Sequence, residues 1–114
     1  MTTLYGIKNC DTVKKARHWL ENARIEYEFH DFRTDGLTRA QVEGWLRQLD
    51  WQHLVNRRGT TWKQLPAARR DGLSEDNVVE LVLEQPTLIK RPVLETDNLV
   101  KVGFKAGEYE AIFR

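Results

Sequence analysis

The chain holds a single cysteine, Cys10, and any nucleophilic or thiol-exchange chemistry it performs must run through that sulfur. A lone thiol closes no internal disulfide, and three histidines, His18, His30 and His53, do not supply a thiolate-rich metal site. None of the histidines has the spacing of a general base. Cys10 lies between Lys8-Asn9 and Asp11-Thr12, a polar stretch with the character of a helix start. A sulfur there faces unpaired backbone N–H groups and the positive end of the helix dipole, which can lower a thiol from about 8.5 by one to several units. Cations that would add to this are Lys8 on the same loop, Arg57 or Arg58 in mid-chain, and Arg91 just before Pro92. Arginine is the better choice where a carboxylate or oxyanion must be gripped bidentately. Asp11 opposes the thiolate if its carboxylate turns toward the sulfur, and otherwise caps the helix. The competing reading is a small buried hydrophobe. The polar loop and the strand-to-helix position favour the nucleophile. Paired basic residues such as Arg57-Arg58 and Lys90-Arg91 are commonly solvated surface, so they matter only if they converge on Cys10.

The elements that must position these groups follow from periodicity. Residues 3–7 read as a short buried strand, and Val13, Ala16, Leu20 and Ala23 recur at helical spacing after Cys10. Ile25 to His30 alternate as a second strand, and a helix between two strands is most simply a βαβ unit with the strands parallel. Thr38 with Gln41 forms a capping-box pattern that opens a helix through Val42, Trp45, Leu46 and Leu49, and Leu54-Val55 begins a shorter piece. Asn56 to Trp62 reads as a basic, glycine-containing loop anchored by Trp62 or Leu65. Ser74 is placed to cap a helix that ends before Pro86. Residues 92–95 and 99–102 are two strands joined by Thr96-Asp97-Asn98, good hairpin chemistry, and a last helix covers about 108–113. The expected fold class is α/β: a mixed four-stranded sheet built as βαβ then ββα, the thioredoxin topology, in parts 1–35 and 87–114, with a helical insert at about 36–86. The four tryptophans at 19, 45, 51 and 62 are expected to pack core and insert rather than to form a ligand cage.

The whole is one domain of ordinary size, 114 residues with 40% hydrophobic and 31% charged residues. Eighteen Lys and Arg against 17 Asp and Glu leave no basic field for nucleic acid or a membrane surface. No apolar run is long enough to span a bilayer, and the first residues lack a signal peptide's charged and apolar regions, so a cytoplasmic location is expected.

Leu4-Tyr5 before the cysteine loop, Cys10-Asp11-Thr12, Lys15-Ala16 with Trp19-Leu20, Lys90-Arg91-Pro92 and Val102-Gly103-Phe104 together make the chain similar, over nearly its whole length, to the arsenate-reductase-like branch of the thioredoxin superfamily. This is the ArsC, Spx and YffB group, and within it the resemblance is to the YffB type. The resemblance implies a thioredoxin fold interrupted by a helical insert, with Arg91-Pro92 beside the cysteine and a cis bond between them. In arsenate reductases of the group the cysteine attacks arsenate, glutathione resolves the adduct and arginines hold the oxyanion. Cys10 and Arg91 match that pattern, whereas Asn56, followed by Arg57 and Arg58, stands where one arginine is expected, and Phe104-Lys105 replaces a late one. Spx regulators bind RNA polymerase and often carry a two-cysteine switch; here Val13 takes the second cysteine's place. The expected activity is that of a glutathione-dependent monothiol reductase. Cys10 and Arg91 are its catalytic residues; Lys8, Asn9, Thr12, Arg57, Arg58 and Pro92 stabilise thiolate or substrate. Glutathione is the co-substrate, and no cofactor or metal is bound. Arsenate reduction and a non-catalytic, Spx-like protein-binding module, its surface made by Trp45, Trp51 and Trp62 of the insert, are the alternatives.

Overall fold

The computed structural model describes residues 1–114, in two compact units: Met1–Gly36 with Arg91–Arg114, and Leu37–Lys90. In the first unit the order is β1 (Thr2–Gly6), α1 (Asp11–Asn22), β2 (Glu28–Asp31), then β3 (Val93–Thr96), β4 (Leu99–Val102) and α7 (Ala106–Phe113). The sheet order is β2-β1-β3-β4. β1 runs parallel to β2, with Leu4 opposite Phe29, and antiparallel to β3, with Leu4 opposite Leu94; β3 and β4 form the hairpin. The second strand is shorter than its alternation suggests. Arg24 takes a positive φ of 59°, and only at Glu28 does the chain pair with β1.

Strand alternation puts Leu4 and Leu94 on one face of the sheet, where they meet Ala16 and Leu20 of α1 and Tyr109 of α7 in a buried cluster ringed by Trp19, Phe29, Phe104 and Phe113. Tyr109 stands edge-on to Trp19 at 5.6 Å and to Phe104 at 4.8 Å between ring centroids. Its hydroxyl is buried with no hydrogen-bond partner, and burial pushes the phenol's pKa up. The helix α1 is clipped to β2 at its flank by Arg17. The guanidinium lies 4.2 Å over the Phe29 ring, and Nε donates to the Tyr27 hydroxyl at 3.0 Å, which in turn donates to Glu21 at 2.7 Å. On the opposite face Tyr5 donates to Glu95 at 2.9 Å across the β1–β3 pair.

The second unit is helical: α2 (Arg39–Leu46), α3 (Trp51–Leu54), α4 (Thr60–Gln64), α5 (Ala67–Asp71), α6 (Val78–Glu84) and a 3-10 turn, Pro86–Leu88. The Thr38–Gln41 capping box is complete in both directions. Three expectations are corrected here. The helix begun at Thr38 stops at Leu46, and Leu54 ends α3 instead of opening a segment. Part of the expected loop is helical: α4 starts at Thr60, Trp62 lies within it, and Leu65, not Trp62, is the buried residue. Ser74 caps no helix. Its backbone N–H donates to Asn77 Oδ1, its hydroxyl accepts from Asp76, and this turn delivers Asn77 as the first flank of α6. Trp45 is fully buried in this unit. An isolated antiparallel bridge joins Val55, just after α3, to Ile89 near the end of the unit.

At Gly6 a β-carbon would lie 2.7 Å from Cγ2 of Val13, itself fully buried at the first turn of α1. Gly6→Ala is therefore expected to cost about 1–3 kcal/mol in urea unfolding. Tyr109→Phe, which deletes the orphaned hydroxyl and keeps the ring, is expected to raise stability by about 1 kcal/mol in the same measurement.

Candidate active site at the carboxyl end of the central strand

The parallel strand β1 ends at Gly6 and the chain turns through residues 7–10, where Cys10 N–H reaches back to the Ile7 carbonyl at 3.4 Å. Cys10 is then the N-cap of α1, in extended conformation, with its carbonyl accepting from Lys14 N–H at 3.0 Å. It is a free, half-buried thiol. The Cys10 side chain makes no capping hydrogen bond, and Asp11 is exposed as the first helical residue. As N-cap, Cys10 stands at the positive end of the α1 dipole, where the N–H groups of the first turn have no partner within the helix.

Register brings Arg91 and Pro92 to the same place. Because Tyr5 pairs antiparallel with Val93, the segment entering β3 sits at the end of the sheet where β1 leaves it. The Arg91–Pro92 bond is cis, Pro92 is buried and Arg91 is half-buried. Gly103, after β4, donates its N–H to the Pro92 carbonyl at 2.9 Å while holding a φ of 75°, a conformation that costs glycine little. On the other side Phe32, just past β2, donates to the Gly6 carbonyl at 2.9 Å. The buried Asp31 shapes that turn: its Oδ1 accepts from Arg33 N–H at 2.8 Å, and its own N–H donates to Asp35 Oδ2 at 3.0 Å. Four loops, from four strands, are thereby fixed at one end of the sheet around Cys10.

The residues singled out in the sequence divide as follows. Lys8 and Asn9 are exposed on the Cys10 loop, Thr12 is half-buried in the first turn of α1, and Arg91 and Pro92 stand at the same sheet end, all in the first unit. Arg57 and Arg58 belong to the second unit, both exposed, on a turn that Asn56 Oδ1 braces by accepting from Arg58 N–H at 3.1 Å. The sequence reading passed over the Asp31–Asp35 turn. An Asp pair spaced by three residues directly after a strand was the available signal. No group of three His, Cys, Asp or Glu side chains is arranged to hold a metal ion, and no helix is long and apolar enough to cross a membrane. Two concavities lie elsewhere: one of about 640 Å³ between residues 46–51 and 74–76, and one of about 630 Å³ lined by Met1, Thr2 and residues 25–28.

With the geometry in place, the relatives can be compared. An uncharacterised protein of Haemophilus influenzae is 44% identical over 113 residues, 99% of each chain. The solved structure of the YffB protein superposes with a TM-score of 0.93 at 45% identity, covering 97% of both chains. The global transcriptional regulator Spx of Streptococcus agalactiae is 28% identical over 116 residues, covering 97% of this chain and 82% of Spx. The sequence profile of the ArsC family matches residues 5–112. The mixed four-stranded sheet, its cysteine loop and its helical unit are therefore those of a thioredoxin-like protein, and the chain belongs to the ArsC family.

Proposed function

We propose that the protein is a glutathione-dependent monothiol reductase whose nucleophile is Cys10. The observation that carries this reading is the half-buried, uncapped Cys10 thiol at the start of α1, with Arg91 delivered by β3 to the same end of the sheet. In the first step the Cys10 thiolate attacks the glutathione sulfur of a mixed disulfide. A Cys10–glutathione disulfide forms, the original S–S bond breaks, and the other half leaves as a thiolate that takes a proton from solvent. In the second step the thiolate of free glutathione attacks the glutathione sulfur on Cys10, releasing glutathione disulfide and restoring the Cys10 thiolate. Glutathione is the reductant, and no other electron source is required. Arg91 supports both steps by attracting the thiolate and by offering a guanidinium to the carboxylates that glutathione carries. With one cysteine in the chain, resolution must come from outside, which suits a small thiol better than an internal partner.

A second reading rests on the likeness to a transcriptional regulator: the helical unit serves as a docking surface for a larger protein. Trp45 cannot contribute, because it is fully buried, which leaves Trp51 and Trp62, both half-buried.

Turnover is measured with glutathione and a glutathione-capped disulfide, with arsenate substituted for the disulfide in a parallel assay. Cys10→Ser is expected to abolish turnover, and retention of activity would sink the proposal. Arg91→Ala is expected to lower kcat/KM about tenfold and to slow alkylation of Cys10 at neutral pH. Capture of one defined protein that persists in Cys10→Ser, in a chain inactive toward both substrates, would favour the docking reading.

A further inference from the structure

Charge is sorted along the strand axis of the first unit. At the end where Cys10 sits, each of the four strands contributes at least one cation within three residues of its terminus. Lys8 follows β1, Arg33 follows β2, Arg91 precedes β3 and Lys105 follows β4. All but the half-buried Arg91 are exposed, and Lys14 and Lys15, exposed on the early turns of α1, add to them. The carboxylates of this end are Asp11, Asp31 and Asp35, and the last two spend an oxygen each on backbone N–H groups of the turn after β2. Lys101 and Glu108 neutralise one another at 3.0 Å. The opposite end is acidic: Glu26 and Glu28 at the start of β2 and Asp97 in the β3–β4 turn are exposed, against Arg24 and the terminal ammonium, which lies 3.9 Å from Asp97. The unit holds as many acids as bases overall, so the asymmetry comes from placement and not from composition.

We infer that Arg33 and Lys105, on the outer strands β2 and β4, determine the charge selectivity of Cys10: they favour anionic thiol reagents and disulfides over cationic ones. The inference rests on Cys10 being the nucleophile and names the substrate class for that site. Arg91 enters β3 at the same sheet end as Cys10. Arg33 and Lys105 flank it on loops pinned to the central strands by Phe32 to Gly6 and Gly103 to Pro92. Fixed charges on either side of a reacting atom raise the local concentration of counter-charged molecules and so act on the encounter rate, an effect that salt removes.

The test uses the lone thiol directly. Cys10 of the native chain is alkylated with anionic iodoacetate and with neutral iodoacetamide, and the ratio of the two rates is compared with that of the urea-unfolded chain. In low salt the native ratio is expected to favour iodoacetate several-fold over the unfolded chain. The double variant R33E/K105E is expected to lower it roughly tenfold, R33Q/K105Q by less, and about 1 M potassium chloride should erase the difference between them. Near-UV circular dichroism checks that both variants fold. Glutathione disulfide and dicationic cystamine then repeat the comparison for S–S cleavage. A ratio unchanged in both variants overturns the inference while leaving Cys10 chemistry standing, as does a change that persists in high salt. A native thiol that neither reagent modifies overturns both the inference and the reading beneath it.

Discussion

The close approach of Gly6 to Val13 is the constraint on which the rest depends. With no side chain on the last residue of β1, the first turn of α1 can lie against the strand, and the turn between them is held to residues 7–10. That places Cys10 directly at the carboxyl end of the central strand. A wider turn would carry the thiol away from the segment entering β3. Val13 is also the residue that stands where Spx regulators carry a second cysteine, so the same position that secures the helix leaves the thiol without an internal partner.

From that contact the sheet does the remaining positioning. β1 is flanked by a parallel and an antiparallel neighbour, so its carboxyl end meets the far end of β2 and the near end of β3. Two backbone hydrogen bonds, Phe32 to Gly6 and Gly103 to Pro92, stitch the neighbouring loops to the central pair. The aromatic cluster around Tyr109 holds α1 and α7 on one face and tolerates an unsatisfied hydroxyl in doing so. Arg17 secures the other flank through Phe29 and Tyr27. None of these interactions engages the Cys10 thiol, which stays uncapped.

Much of this was legible in the chain. The order βαβ then ββα, the parallel first pair, the hairpin and the capping box at Thr38 followed from period and cap chemistry, because each is decided within a dozen residues. The cysteine and Arg91 were legible as chemistry, while their meeting at one sheet end was implied by the family resemblance alone and not by the residues. What could not be read was decided by tertiary packing. The shortening of β2 depends on where β1 can pair with it, the small helices α4 and α5 have no periodicity of their own, and Ser74 is held in a turn with Asn77 before α6 instead of capping it. Arg33 carries no motif, and Lys105 drew notice only as part of the Phe104-Lys105 pair that replaces a late arginine of the family pattern. Only the strand directions show that they lie at the Cys10 end.

The insertion of the helical unit between β2 and β3 has a consequence for the order in which the protein is made. The cysteine, its loop and two strands leave the ribosome before the second unit does, while Arg91 is the first residue after that unit is complete. Until β3 pairs with β1 the nascent chain carries a thiol with neither its arginine nor the β4 loop beside it. Closing that pairing across a compact, already folded intervening unit costs less chain entropy than closing it across a free loop of the same length. Synthesis thus delays the meeting of Cys10 and Arg91 until the second unit has been made.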